Sequence, residues 1–94
     1  MRIRGYHWLE TVVDKIAARH GVTLEEVQQT LTNAPRFFFA ETGNYEGEDV
    51  YLALGQTDAG RHLAVFFVHK RDQRALVLSA REMTERERRR YGRK

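Results

Sequence analysis

A chain of 94 residues has room for one domain and a small hydrophobic core, and at 41% hydrophobic and 31% charged residues it is globular rather than disordered material. The absence of cysteine excludes disulfide staples and thiolate metal sites. No apolar run approaches the roughly 20 residues of a membrane span, and residues 1–10 lack the continuous apolar stretch of a signal peptide, so the expected location is the cytoplasm, with no membrane attachment. The net charge of +3 is unevenly spread. Residues 81–94 hold seven cations (Arg81, Arg86, Arg88, Arg89, Arg90, Arg93, Lys94) against three glutamates (Glu82, Glu85, Glu87), a local +4 that leaves −1 for the rest. A basic excess gathered at one end points to an anionic partner such as RNA, DNA or an acidic protein; the alternative is a solvated helix tail.

Residues 1–8 alternate loosely and suit a short first strand. Leu9, Val12, Val13, Ile16 and Ala17 then fall on one helical face, and Gly21 is a good stop because glycine tolerates a left-handed backbone. Thr23 with Glu26 three positions on reads as a capping box for a second helix, with Leu24, Val27 and Leu31 as its buried stripe and Asn33-Ala34-Pro35 as its end. Strands are expected over Arg36–Glu41, Val50–Gly55, Arg61–His69 and Ala75–Ala80. The third of these is apolar on both faces and so belongs in the middle of the sheet. Thr57-Asp58-Ala59-Gly60 and the segment 70–74 are short links that favour antiparallel neighbours. Thr84 with Glu87 makes a second capping box and opens a C-terminal helix. Helices massed before an antiparallel strand meander predict a single α+β domain: two N-terminal helices packed on an antiparallel sheet, then a C-terminal helix.

Three stretches carry a family resemblance. Ala18-Arg19-His20-Gly21-Val22 followed by Glu25-Glu26-Val27 is similar to the KHGV…EEV signature near the start of BrnT ribonuclease toxins. Leu54-Gly55-Gln56-Thr57-Asp58-Ala59-Gly60-Arg61 resembles their GxTDxGR hairpin, and Leu78-Ser79-Ala80-Arg81 with Glu87 and Tyr91 resembles their ISAR…ER…Y ending. The resemblance spans nearly the whole chain, in the family's order. It implies a RelE-like fold and a metal-independent endoribonuclease that cleaves RNA and arrests translation as the toxin of a type II toxin–antitoxin system. It also implies a small DNA-binding antitoxin, BrnA-like, as partner, with a dimer or hetero-oligomer as the assembly. Many members carry arginine or lysine just before the strand that begins here at Val50, and again at the position of Gln56; neither cation is present in this chain. That departure keeps a second reading open, a catalytically weak relative acting as an antitoxin-binding or RNA-binding module.

Metal-free cleavage of RNA uses the substrate's own 2′-hydroxyl, which DNA lacks. The protein must neutralise charge on the phosphate, accept a proton from the 2′-OH and return one to the leaving oxygen. Arginine suits the first task through its planar fork, histidine the other two. Arg81, between an apolar strand and a helix, is the first candidate; a pairing with Glu87 or Glu85 is its structural alternative. Arg61 leaves the hairpin turn, with a simple edge charge against Asp58 as its alternative, and His20 ends a helix whose dipole alone accounts for a histidine there. Lys15, Arg88, Glu87 and Tyr91 are the candidate RNA contacts, the last two sharing one helix face at i, i+4. Tyr91 suits core packing, base stacking or acid chemistry. His62 and His69 bracket the central strand, but no histidine or carboxylate spacing resembles a metal site, so neither metal nor cofactor is expected. Arg81 and Arg61 are expected to flank one open groove, with His20 or Lys15 within reach. Phe37, Phe38, Phe39, Phe66 and Phe67 must point to both faces of their strands. The antitoxin is therefore expected on the face away from the two N-terminal helices, unless the C-terminal helix folds back and covers that face itself.

Overall fold

Each capping signal in the sequence is realised where it stands. The computed structural model describes residues 1–42 and 48–93, in the order β1 (Gly5–His7), α1 (Glu10–His20), α2 (Leu24–Thr32), β2 (Arg36–Glu41), β3 (Val50–Gln56), β4 (His62–His69), β5 (Arg74–Glu82) and α3 (Glu85–Gly92). Lys94, part of the basic ending, lies outside the described residues. At the end of α1, Gly21 adopts φ +60°, donates to the Ala17 carbonyl and lets Val22 donate to Ile16; Val22 is thereby swung into the core. Thr23 and Glu26 cap α2 reciprocally, and Thr84 and Glu87 do the same for α3.

The sheet runs β1-β5-β4-β3-β2. β2 to β5 form the expected antiparallel meander, and β4, apolar on both faces, lies in its middle. The added edge strand β1 pairs with β5 in parallel, so the sheet is antiparallel except at that edge. A bulge in the β4–β5 ladder between Phe66 and Phe67 breaks the register beside Leu78.

Strand alternation divides the interior in two. Phe37, Tyr51, Ala53, Leu63, Val65, Phe67, Ala75, Val77 and Ala80 face α1 and α2, meeting Ile16, Val22, Val27 and Leu31. The expected stripe of α1 is narrower than its sequence pattern. Ile16 is fully buried, Val12 and Val13 only partly, while Leu9 is the exposed N-cap and Ala17 is exposed, because α1 meets the sheet mainly over β5 near its edge. On α2, Leu24 is only half-buried and Thr30 joins Val27 and Leu31 inside. Thr30 satisfies its buried hydroxyl by donating to the Glu26 carbonyl, 2.8 Å away. Gly55 permits this close approach: a Cβ there would stand 2.8 Å from the Thr30 carbonyl oxygen.

The opposite face carries Leu52, Leu54, Ala64 and Met83, with Phe38, Phe66 and Tyr91 packed against them. This face is not left bare for a partner. α3 folds back across it, as the alternative reading allowed, and half-buries Phe38 and Phe66. α3 has no fully buried residue and is held largely by polar contacts. Arg36 Nη1 donates to the Arg90 and Tyr91 carbonyls at 2.7 and 3.3 Å and also to the Arg93 carbonyl, satisfying the helix's orphan acceptors from the sheet.

Candidate functional site

Arg81 lies opposite Ala64 in the β4–β5 ladder and so projects towards α3. Its guanidinium lies 5.4 Å from the Phe66 ring centre and donates to both oxygens of Glu87, at 2.7 and 3.0 Å. Glu87 accepts at the same time from the Thr84 amide at 2.8 Å, so one carboxylate caps α3 and anchors it to the sheet. The Arg81 hydrogen bonds, opposed by burial and helped by the Thr84 amide, hold the Glu87 carboxyl below the usual glutamate range; Glu87 in turn pushes the Arg81 guanidinium up. The pairing alternative for Arg81 is thus realised in the free protein.

Arg61 points the other way. It sits in the turn rather than in β4, after Gly60 with φ +88°, and its fork reaches the junction of α1 and α2. Nη1 donates to the Gly21 carbonyl at 2.8 Å and to Glu26, Nη2 to the His20 carbonyl at 3.0 Å, and Nε to Glu82 at 3.0 Å. Burial pushes the Glu26 carboxyl up, but the Thr23 amide and Arg61 outweigh it and hold that carboxyl below its usual range. The Arg61 fork is thus engaged at the helix side of the sheet and the Arg81 fork at the α3 side, with Arg61 also lining a pocket at the strand ends. His20 and Lys15 are exposed residues of α1, on Arg61's side; His20 meets Arg61 through its backbone carbonyl. The structure does not bring either of them to Arg81.

What it does gather around the α3 side are Glu87, Tyr91 and Arg88, together with a residue that the sequence marked only as bracketing a strand. His62 opens β4, faces Gln56 across the ladder, and by alternation with Ala64 and Phe66 is turned towards α3. Its ring stands edge-on to Tyr91, with centroids 5.9 Å apart and planes at 83°. The Tyr91 hydroxyl points to Gln56 Oε1 at 3.4 Å. A surface pocket of about 200 Å³ opens here, lined by Gly60, Arg61, His62, Glu82, Met83 and Arg88. Counting back by twos from the buried Ala64 was the available signal for His62. Two further arginines were not singled out from the sequence as site residues: Arg36, the clamp on the end of α3, and Arg90, counted only within the basic ending, whose guanidinium lies 3.7 Å over the Phe38 ring. Beyond them Arg86, Arg89, Arg90 and Arg93 line a second hollow of about 410 Å³ along α3.

Among the described residues no group of three or more histidines and carboxylates is placed to hold a metal, and no helix is long and apolar enough to cross a membrane. A sheet whose one face carries a helix with four arginines presents a cationic surface to a polyanion or an acidic protein. The chain belongs to the family described as "Ribonuclease toxin, BrnT, of type II toxin-antitoxin system", whose model matches residues 8–87. It is thus a member of a family of toxin–antitoxin components. No curated protein matches the chain.

Proposed function

We propose that this protein is the toxin of a type II toxin–antitoxin pair, acting as a metal-independent endoribonuclease in the cytoplasm, with the α3 side of the sheet as its RNA-binding surface. The observation that carries the reading is Arg81, held over Phe66 and by Glu87 beside a helix that adds Arg88, Tyr91 and a row of exposed arginines. A phosphate entering here can compete with the Glu87 carboxylate for the same planar fork, and arginine binds both bidentately. Family membership supports a cognate antitoxin as partner, which would mask this cationic surface. A second reading, a weak relative that binds its antitoxin or RNA without cleaving, draws on the same ion pair, because Glu87 neutralises Arg81 in the free protein. Purified protein incubated with single-stranded RNA separates the two. Cleavage that is abolished by Arg81→Ala supports the first and RNA binding without cleavage removes it, whereas cleavage unchanged in Arg81→Ala removes Arg81 and its surroundings as the site. Co-expression with the adjacent open reading frame tests the partner, expected to co-purify.

A further inference from the structure

We propose that His62 is the proton-transferring residue of this surface, taking the proton of the attacking 2′-hydroxyl of an RNA strand bound in the pocket beside α3. The inference rests on the ribonuclease reading above and adds the group that the arginines cannot supply. Arginine stays protonated and can only neutralise phosphate; cleavage by a neighbouring 2′-hydroxyl also needs a base. Of the acids on hand, Glu82 is exposed and only loosely held, and the others are committed. Glu87 is bound by Arg81 and the Thr84 amide, Glu26 lies with Arg61 on the other side, and Glu82 accepts from Arg61 Nε. Asp58, in the turn before His62, is tied to α2 through Gln29 and Asn33. Tyr91 directs its hydroxyl to Gln56.

His62 is differently placed. It is half-exposed, it lines the 200 Å³ pocket, and the edge contact with Tyr91 fixes its ring on the α3 side. Arg88 on α3 and Arg61 and Glu82 at the rim are the charged groups that line the pocket with it, with the Arg81–Glu87 pair on the same side of the sheet. An imidazole exchanges protons near neutral pH, where a carboxylate held by arginine does not. The other described histidines near the sheet are engaged at the far end, His7 with Asp72 and His69 with the Arg2 carbonyl.

In the step proposed, the 2′-oxygen bonds to the adjacent phosphorus as the bond from phosphorus to the 5′-oxygen breaks. The 2′ proton passes to the neutral imidazole, and a 2′,3′-cyclic phosphate forms. The departing 5′-oxygen takes a proton from water, and the resulting hydroxide removes the proton from the imidazolium, restoring His62. Arg88, which lines the same pocket, holds the phosphate.

The test uses the full chain, a single-stranded RNA oligonucleotide and its 2′-O-methyl counterpart, with cleavage rates measured across roughly pH 5–8. His62→Gln is expected to slow cleavage by about 100-fold or more, to remove the acidic limb of the pH profile, and to leave binding of the 2′-O-methyl strand within about threefold. Added imidazole should restore part of the activity of His62→Ala, and His69→Gln should behave as wild type. Wild-type protein that cleaves, with His62→Gln cleaving equally well along the same acidic limb, overturns this inference and leaves the ribonuclease reading standing. Loss of 2′-O-methyl RNA binding in a His62→Gln protein with an unchanged melting temperature also overturns it, making His62 a binding residue. A wild-type protein that binds RNA and never cleaves it overturns the ribonuclease reading and this inference together.

Discussion

Replacing Arg61 with methionine removes a guanidinium and keeps its aliphatic stem, which isolates the polar work of the side chain. Four partners lose their donor: the His20 and Gly21 carbonyls at the end of α1, Glu26 in the first turn of α2, and Glu82 at the end of β5. The two carbonyl bonds are worth about 1 kcal/mol each. The Glu26 pair, with both side chains about a quarter exposed, contributes about 1 kcal/mol more. Glu82 is 67% exposed, so its pair adds close to nothing. The expected loss is therefore about 3 kcal/mol, against a total stability on the order of 5–14 kcal/mol for a chain this size. The corresponding fall in melting temperature is roughly 12–24 °C. Urea unfolding followed by circular dichroism measures the loss, with an unchanged slope showing that the unfolded state is the same. A cycle with Glu26→Gln should return a positive coupling within about 0.5–3 kcal/mol. A single-variant loss below about 1 kcal/mol would refute the assignment of Arg61 as the staple between helices and sheet, and would return it to the list of groups free to meet RNA.

Gly55→Ala should cost about 1–2 kcal/mol, overpacking against the Thr30 carbonyl outweighing the gain of alanine over glycine in a strand, and a thermal melt no lower than wild type would contradict the close approach. Gln73 holds φ +66° in the β4–β5 turn, so Gln73→Gly should raise stability by about 0.5–1 kcal/mol, read from the urea midpoint. Glu26 and Glu87 both titrate below the ordinary glutamate range when folded, so the unfolded chain binds their protons more tightly. Their contribution is complete above that ordinary range and lost as pH falls through the lower folded values, so the urea midpoint should drop on the acid side; an equally steep drop in an E26Q/E87Q double variant would count against these two carboxylates as its source.

Much of this fold was legible because its signals are local. Thr23 with Glu26, Thr84 with Glu87, and Gly21 after α1 each act over a few residues, so reading the chain in order finds them. The central place of β4 was equally plain, since a strand apolar on both faces must have both faces covered. The site was less legible. Arg61 was expected at the start of a strand and Arg81 just past the end of one, and alternation governs only residues inside a strand; instead Arg61 stands in the turn and reaches the helices, while Arg81 lies inside β5 and reaches α3. β1 lies parallel to β5 through partners such as Gly5 and Arg74, and α3 is held down by Arg36, more than 50 residues before the carbonyls it binds. Such pairings depend on which distant surfaces meet once the chain has collapsed, and no periodicity within either segment encodes them. The sequence by itself determined the elements, their caps and the uneven charge; the tertiary structure decided which arginine is mortar, which faces the open surface, and that His62 stands beside it.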